Sequence, residues 1–170
     1  MGTLKELNSL ALEAAEVEFL KCCGSSRWAG AMAAARPYSG VDQLIEAADK
    51  VWWSLEPADW LEAFHSHPRI GEQKAARQVA EESRTWSTQE QAGVANSAEE
   101  TVRSLSELNR AYEEKFGYIF IVCATGKSAE EMLAILRARI ENAPNEELKN
   151  AAAEQAKITE LRLQKLLTTR

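Results

Sequence analysis

Only one stretch of the chain, FGYIFIVCATG at residues 116 to 126, has the aromatic and β-branched density of a buried strand. A strand needs a partner, and no second run of comparable strength exists to pair with it. A sheet is therefore excluded as the organising layer, and the fold has to be built from helices. The segment itself is expected to lie extended and buried, near residues 117 to 124, in an otherwise helical protein.

The remaining apolar residues recur at helical spacing. Leu4, Leu7, Leu10, Leu12, Ala15, Val17 and Leu20, separated by Glu and Lys, predict one amphipathic helix ending near Gly24. A short helix carrying Trp28, Met32 and Ala35 has to stop before Pro37, whose ring disfavours a helical residue ahead of it, so RPYSG at 36 to 40 reads as a turn. Val41, Leu44, Ile45, Ala48, Val51 and Trp52 line a third helix to about Leu55, with Ser39 as its cap. Pro57 suits the first turn of a fourth, where its missing N–H would have been unpaired anyway, and Trp60, Leu61 and Phe64 form its apolar face.

Residues 72 to 82 are helix-compatible, SRTWS at 83 to 87 interrupts them, and helix is expected to resume at Ser87, where S-x-x-E ends on Glu90. The same pattern from Ser97 to Glu100 leaves open one long helix or two meeting near Asn96, lasting to about Lys115. Ser128 to Glu131 repeats it before Met132, Leu133, Ile135, Leu136 and Ile140, and Asn145 is the expected cap of a last helix from about Glu146 to Leu167. The expectation is a single all-α domain, a helical bundle over residues 1 to 170, without repeat, low-complexity tract or linker.

A chain of 170 residues can bury one complete core. Its net charge of -6 argues against nucleic acid as a partner, because phosphate binding relies on clustered Lys and Arg. A small anionic substrate stays compatible with that charge, since one buried Arg can hold a carboxylate in an acidic protein. Cys22, Cys23 and Cys123 form no CxxC pair, which fits reduced thiols in the cytoplasm better than a disulfide framework. The first residues carry acids among their apolar positions, unlike a signal peptide, and no apolar run is long enough for a bilayer, so no membrane is expected.

Both histidines of the chain lie in AFHSHPRIGE, residues 63 to 72. Residues i and i+2 face one way only on a strand, and neither Glu62 nor Glu72 completes a known ligand motif, so no metal is expected. FIVCATGKS resembles a phosphate loop, but the pattern needs Gly where the chain has Ile121. His67 is the stronger candidate for chemistry: Pro68 stiffens the backbone after it, Gly71 allows close approach, and imidazole exchanges protons near neutral pH. The competing reading is a hydrogen-bonded structural histidine. Glu90 has its own structural alternative in a capping box, as the third residue after Ser87, and Gln91 as helix surface. Arg162 lies on a helix whose buried stripe is expected to include Ile158, Leu161 and Leu166; exposure is the usual fate of Arg, whereas an inward guanidinium would suit a carboxylate.

Taken in order, WAGAMAAARPYSG, FHSHPRIGE, WSTQEQAG, LNRAYEEKFGYIFIVCATGKSAEEML, RARIENAPNEEL and KITELRL resemble the OHCU decarboxylase family of urate breakdown over nearly the whole chain. The resemblance implies an all-helical enzyme that needs no cofactor, commonly a homodimer, acting on 2-oxo-4-hydroxy-4-carboxy-5-ureidoimidazoline to give (S)-allantoin and carbon dioxide. By motif match it places the catalytic pair on His67 and Glu90. It places substrate contacts on Pro68, on Ser87, Thr88, Gln89, Glu90 and Gln91, on the backbone run Phe120, Ile121, Val122, Cys123 and Ala124, and on Arg162. Some relatives end in a peroxisomal tripeptide or continue into a transthyretin-like hydrolase domain; this chain ends TTR, and a single-function cytoplasmic enzyme is expected. The alternative is a helical binding domain of the same fold without activity.

Overall fold

The computed structural model describes residues 2 to 70, 81 to 94 and 98 to 168, with side chains 81 to 84 excepted. Gly71, most of the helix-compatible stretch 72 to 82 and the Ser97 cap lie outside them. The helices are α1 (Leu4–Ser9), α2 (Leu12–Cys22), α3 (Ser26–Ala34), α4 (Val41–Trp53), α5 (Pro57–His65), α6 (Glu81–Glu90), α7 (Glu99–Phe116), α8 (Ala129–Arg139) and α9 (Pro144–Thr168), with a 3-10 turn at Ala92–Val94. No strand occurs among the described residues, as the unpaired FGYIFIVCATG required. No described helix is long and apolar enough to cross a membrane. The chain forms two compact units, Met1–Ala63 with Ala156–Arg170 and Phe64–Gln155.

In the first unit, α3 packs on α2 and α4. Trp28 is fully buried; its indole N–H donates to the Ala48 carbonyl at 3.1 Å, and its ring meets Phe19 edge-on at 5.8 Å. Burial of this size stabilises by about 1.5–3 kcal/mol per side chain, and the indole bond removes the polar penalty that would offset it.

The predicted first helix is in fact two. Thr3 and Glu6 close a capping box on α1, but Leu10 turns extended (φ -66, ψ 149) before α2 begins. The break is stabilised from a distance: the Arg36 guanidinium donates to the carbonyls of Leu7 and Leu10, each at 2.8 Å, covering acceptors that a continuing helix would have used. Asn8 and Tyr38 add a reciprocal pair, with the Asn8 amide donating to the Tyr38 carbonyl at 2.8 Å and the Tyr38 N–H donating to Asn8 Oδ1 at 2.9 Å. Helical periodicity carries no trace of such a contact.

Smaller corrections have local causes. Ser39 does not cap α4: Gly40 holds that position, and the Ser39 N–H and hydroxyl donate instead to Gln43 Oε1. The last helix begins at Pro144, where proline's fixed φ and absent N–H fit a first turn, so Asn145 lies inside it and is no cap. On the second half of α9 the buried stripe is Ile158, Thr159, Arg162, Leu163 and Leu166, whereas Leu161 is half-buried. Arg162 therefore faces inward, with 4% exposure.

Cys22 and Cys23 lie at the end of α2, buried, and all three cysteines are free. Burial pushes the Cys23 thiol up to about 11 and the Cys22 thiol higher still, while the nearby Arg162 charge acts in the opposite direction on both. At neutral pH both are protonated thiols, packed as small apolar groups.

In the second unit, α7 packs against α8, and α7 ends at Gly117, which adopts a left-handed conformation (φ 81) open to glycine without strain. The chain then runs extended, with Tyr118 and Phe120 to Ala124 all buried. Tyr112 contacts Phe116, Tyr118 and Phe120 at centroid distances of 4.6, 5.9 and 5.5 Å. α8 opens as predicted, with the Ser128 and Glu131 capping box complete.

Beneath the extended segment is a polar network that no sequence pattern announced. Glu147 is fully buried and accepts from Arg139 Nε at 2.6 Å, from the Tyr112 hydroxyl at 2.6 Å and from the Asn142 amide at 3.0 Å. Arg139 Nη2 lies 2.6 Å from the same Glu147 oxygen, too oblique to count as a second hydrogen bond. Through Nη1 the same guanidinium donates to the Ile121 carbonyl at 2.6 Å, and it lies over the Phe120 ring at 4.7 Å. One buried ion pair thus fixes the course of residues 120 and 121.

Candidate active site

The short loop after α5 carries His67. Its N–H donates to the Phe64 carbonyl at 3.2 Å, which curls the chain past the helix end and leaves the imidazole half-buried. His65, in the last turn of α5, is exposed. Among the described residues no group of three or more His, Cys, Asp or Glu side chains is placed to hold a metal ion.

The His67 loop is tied down on both sides. Arg69 makes a bidentate pair with Glu113 of α7, Nε donating to Oε2 and Nη2 to Oε1, both at 2.7 Å. The pair holds the Glu113 carboxyl below the usual carboxylate range, chiefly through the Arg69 hydrogen bond. Ile70 is buried, and its carbonyl accepts from the Asn109 amide at 3.3 Å. His67 Nε2 lies 2.6 Å from Oε1 of Gln155, a fully buried residue of α9. Gln155, Glu113 and Asn109 were not singled out in the sequence; a polar residue at a helix's buried position announces itself only once the buried face is known.

α6 does not start at Ser87. It runs from Glu81 through SRTWS to Glu90, so Ser87 lies near its C-terminal end and its carbonyl accepts from the Gln91 N–H at 3.1 Å. The capping-box reading of Ser87 and Glu90 is thereby overturned, and with it the structural task that competed for Glu90. Ser87 is buried, Glu90 and Gln91 are half-buried, and Thr88 and Gln89 are exposed. The Glu90 charge is close enough to Cys123 to help raise that thiol, the largest cause being burial.

The extended segment meets α9 as well. The Cys123 N–H donates to Glu154 Oε1 at 3.4 Å, its carbonyl accepts from Lys127 Nζ at 2.6 Å, and the Ala124 carbonyl accepts from the Lys127 N–H at 3.0 Å. Among the described residues nothing bonds the backbone of Val122 or the N–H of Ile121, although both residues are buried. Buried backbone polar groups demand a partner, so this stretch suits a polar ligand.

Gly93, in the turn after α6, adds a steric constraint: a Cβ there would strike the Lys127 carbonyl. Gly93→Ala is expected to lower stability by about 1–3 kcal/mol, the usual cost of forcing atoms into a filled space. Urea denaturation measures it, and an unchanged midpoint would mean that the turn yields.

In the second unit, then, a pinned imidazole, a half-buried carboxylate and a non-helical backbone run are positioned by α6, α7 and α9, whereas Arg162 belongs to the first unit, next to Cys22 and Cys23. The family model for OHCU decarboxylase matches residues 8–164. The uric acid degradation bifunctional protein of Arabidopsis thaliana is 39% identical over 94% of this chain and 49% of its own length. A Bacillus relative of the same description is 27% identical over 98% of this chain and 32% of its own. The chain thus spans about half or less of those two relatives. The 2-oxo-4-hydroxy-4-carboxy-5-ureidoimidazoline decarboxylase of Haloferax volcanii is 26% identical, covering 95% of this chain and 94% of that protein. Among solved structures, an OHCU decarboxylase crystallised in the presence of (S)-allantoin superposes with a TM-score of 0.76 at 39% identity, over 88% of this chain and 96% of that one. An (S)-allantoin synthase matches with a TM-score of 0.71 at 19% identity, a likeness of fold alone. With the family model matching from α1 almost to the end of α9, and with the helical fold shared, the chain belongs to the OHCU decarboxylase family.

Proposed function

We propose that the chain decarboxylates 2-oxo-4-hydroxy-4-carboxy-5-ureidoimidazoline to (S)-allantoin and carbon dioxide, without a cofactor, within urate breakdown. The observation that carries the reading is His67: the loop bearing it is pinned at Arg69 and at Ile70, and its ring is held at 2.6 Å by a buried amide. A merely exposed histidine has no need of that support.

The chemistry suits the residue types. When the carboxylate leaves, its bonding electron pair passes into the ring, and the enolate-like intermediate collapses as the hydroxyl becomes a carbonyl and a ring carbon gains a proton. Donors aimed at the developing charge are sufficient for such a step. His67 exchanges the proton, and Glu90 is its acidic partner. Ser87, Thr88, Gln89 and Gln91 at the end of α6, Pro68 beside the imidazole, and the backbone of Phe120, Ile121, Val122, Cys123 and Ala124 contact the substrate. Support for that run is the buried backbone of Val122, which nothing bonds among the described residues. Arg162 takes an anionic oxygen, a role supported by its burial and by the fit of a guanidinium to a carboxylate. The family resemblance further supports a cytoplasmic homodimer.

The test generates the unstable substrate in situ with urate oxidase and hydroxyisourate hydrolase and follows chiral allantoin by circular dichroism. Accelerated formation of a single enantiomer is expected. Spontaneous, racemic decay at an unchanged rate would leave only a non-catalytic binding domain.

A further inference from the structure

We propose that Gln155 is a positioning residue, whose side-chain oxygen holds His67 as the Nε2–H tautomer and so leaves Nδ1 as the atom that exchanges the proton with the substrate. The inference rests on the catalytic reading of His67 for its consequence, but the tautomer itself is a property of the free protein.

A neutral imidazole carries one donor and one acceptor nitrogen, and the partner of one decides the role of the other. Gln155 Oε1 has lone pairs only, and at 2.6 Å from Nε2 two facing lone pairs would repel. The proton therefore lies on Nε2. An amide oxygen accepts that proton equally from neutral imidazole and from imidazolium, so the ring stays oriented while Nδ1 gains and loses a proton.

Gln155 can hold such a position because of its place on α9. Glu147, Ala151 and Gln155 follow at four-residue spacing on one buried face, each fully buried. The preceding residue, Glu154, accepts from the Cys123 N–H at 3.4 Å. Two consecutive side chains of one helix thus contact the histidine loop and the extended segment, so the two parts of the site share a rigid mount. Nothing in AAAEQAK, an ordinary helix-forming stretch, separates this glutamine from a surface one.

The chain has only two histidines, so nitrogen NMR of the imidazoles is readily assigned, with His65→Gln removing the exposed one. In the otherwise unaltered protein, at a pH where His67 is neutral, Nε2 is expected to be protonated and Nδ1 pyridine-like. Gln155→Met, which keeps the volume and removes the acceptor, is expected to give a mixture of tautomers and to lower kcat by about 10- to 100-fold, the range when a functional histidine loses its orienting partner, with KM little changed. Gln155→Glu keeps an acceptor oxygen in place and is expected to keep Nε2–H. A protonated Nδ1 in the unaltered protein would mean that the amide is turned the other way, and would overturn the proposal even if no variant folded. So would Gln155→Met with an unchanged tautomer and kcat. Absence of decarboxylase activity in the unaltered protein would instead count against the proposed function, leaving the tautomer measurement to judge Gln155 by itself.

Discussion

His67→Asn is expected to lower kcat/KM for the ureidoimidazoline by about 10²–10⁴-fold, the contribution usual for a positioned proton-transfer group. Asparagine keeps a polar side chain near the Gln155 oxygen, and the bonds that shape the loop, Arg69 to Glu113 and Asn109 to the Ile70 carbonyl, do not pass through the imidazole. The fold should therefore survive, with helical circular dichroism and urea midpoint close to those of the unaltered protein. The assay is the in situ generation of substrate followed by chiral allantoin formation. His65→Asn is the control: His65 is exposed, and its replacement should leave the rate unchanged. Retained activity in a folded His67→Asn variant would remove the imidazole from the mechanism. Equal losses at both positions would mean that the damage comes from the loop rather than from proton transfer.

The largest effect on stability is expected at Glu147. It has no exposed surface, and Arg139, Tyr112 and Asn142 all donate to it. Glu147→Ala removes the only acidic partner, among the described residues, of a guanidinium that is 10% exposed, and breaking a buried pair by deleting one member costs about 3–5 kcal/mol. The Tyr112 hydroxyl also loses its acceptor. Its ionisation is already strongly suppressed, first by burial and then by its bond to Glu147, so it cannot compensate by becoming charged. Urea denaturation reads the change directly. A double-mutant cycle with Arg139→Met separates the pair from the rest of the network. The double variant should recover part of the loss, because an apolar replacement of both charges leaves neither stranded in the core. Additive losses at the two positions would mean that the residues act independently.

The consequence for the site follows from the second role of Arg139. It donates to the Ile121 carbonyl and covers the Phe120 ring, within the proposed substrate-contacting backbone. Variants of Glu147 that remain folded should therefore raise KM as well, without a specific effect on the proton-transfer step.

Identical local patterns had different outcomes in this chain. S-x-x-E occurs at Ser128 and at Ser87, yet only Ser128 begins a helix; Ser87 is already the seventh residue of the helix that runs from Glu81. The pattern states that a cap is possible, while the preceding turn decides whether one is needed. With no cap at Ser87, the structural explanation for Glu90 falls away, and the role implied by the family resemblance is the one to test. The split between α1 and α2 is similar. Leu4 to Leu20 keep helical spacing throughout, and the interruption is stabilised by Arg36, which lies well downstream in the chain.

What the sequence determined by itself is the helical class, the isolated extended segment and the identity of the one histidine worth testing. Each rests on residue type or on periodicity within a few positions, and such information is local. What only the tertiary structure decided is how the buried polar groups pair: Gln155 with His67 across 88 residues, Glu147 with Tyr112 across 35, Arg139 with the Ile121 carbonyl across 18. A buried polar group has to find a partner, but that rule does not say which one. Only the packed arrangement of α7, α8 and α9 does.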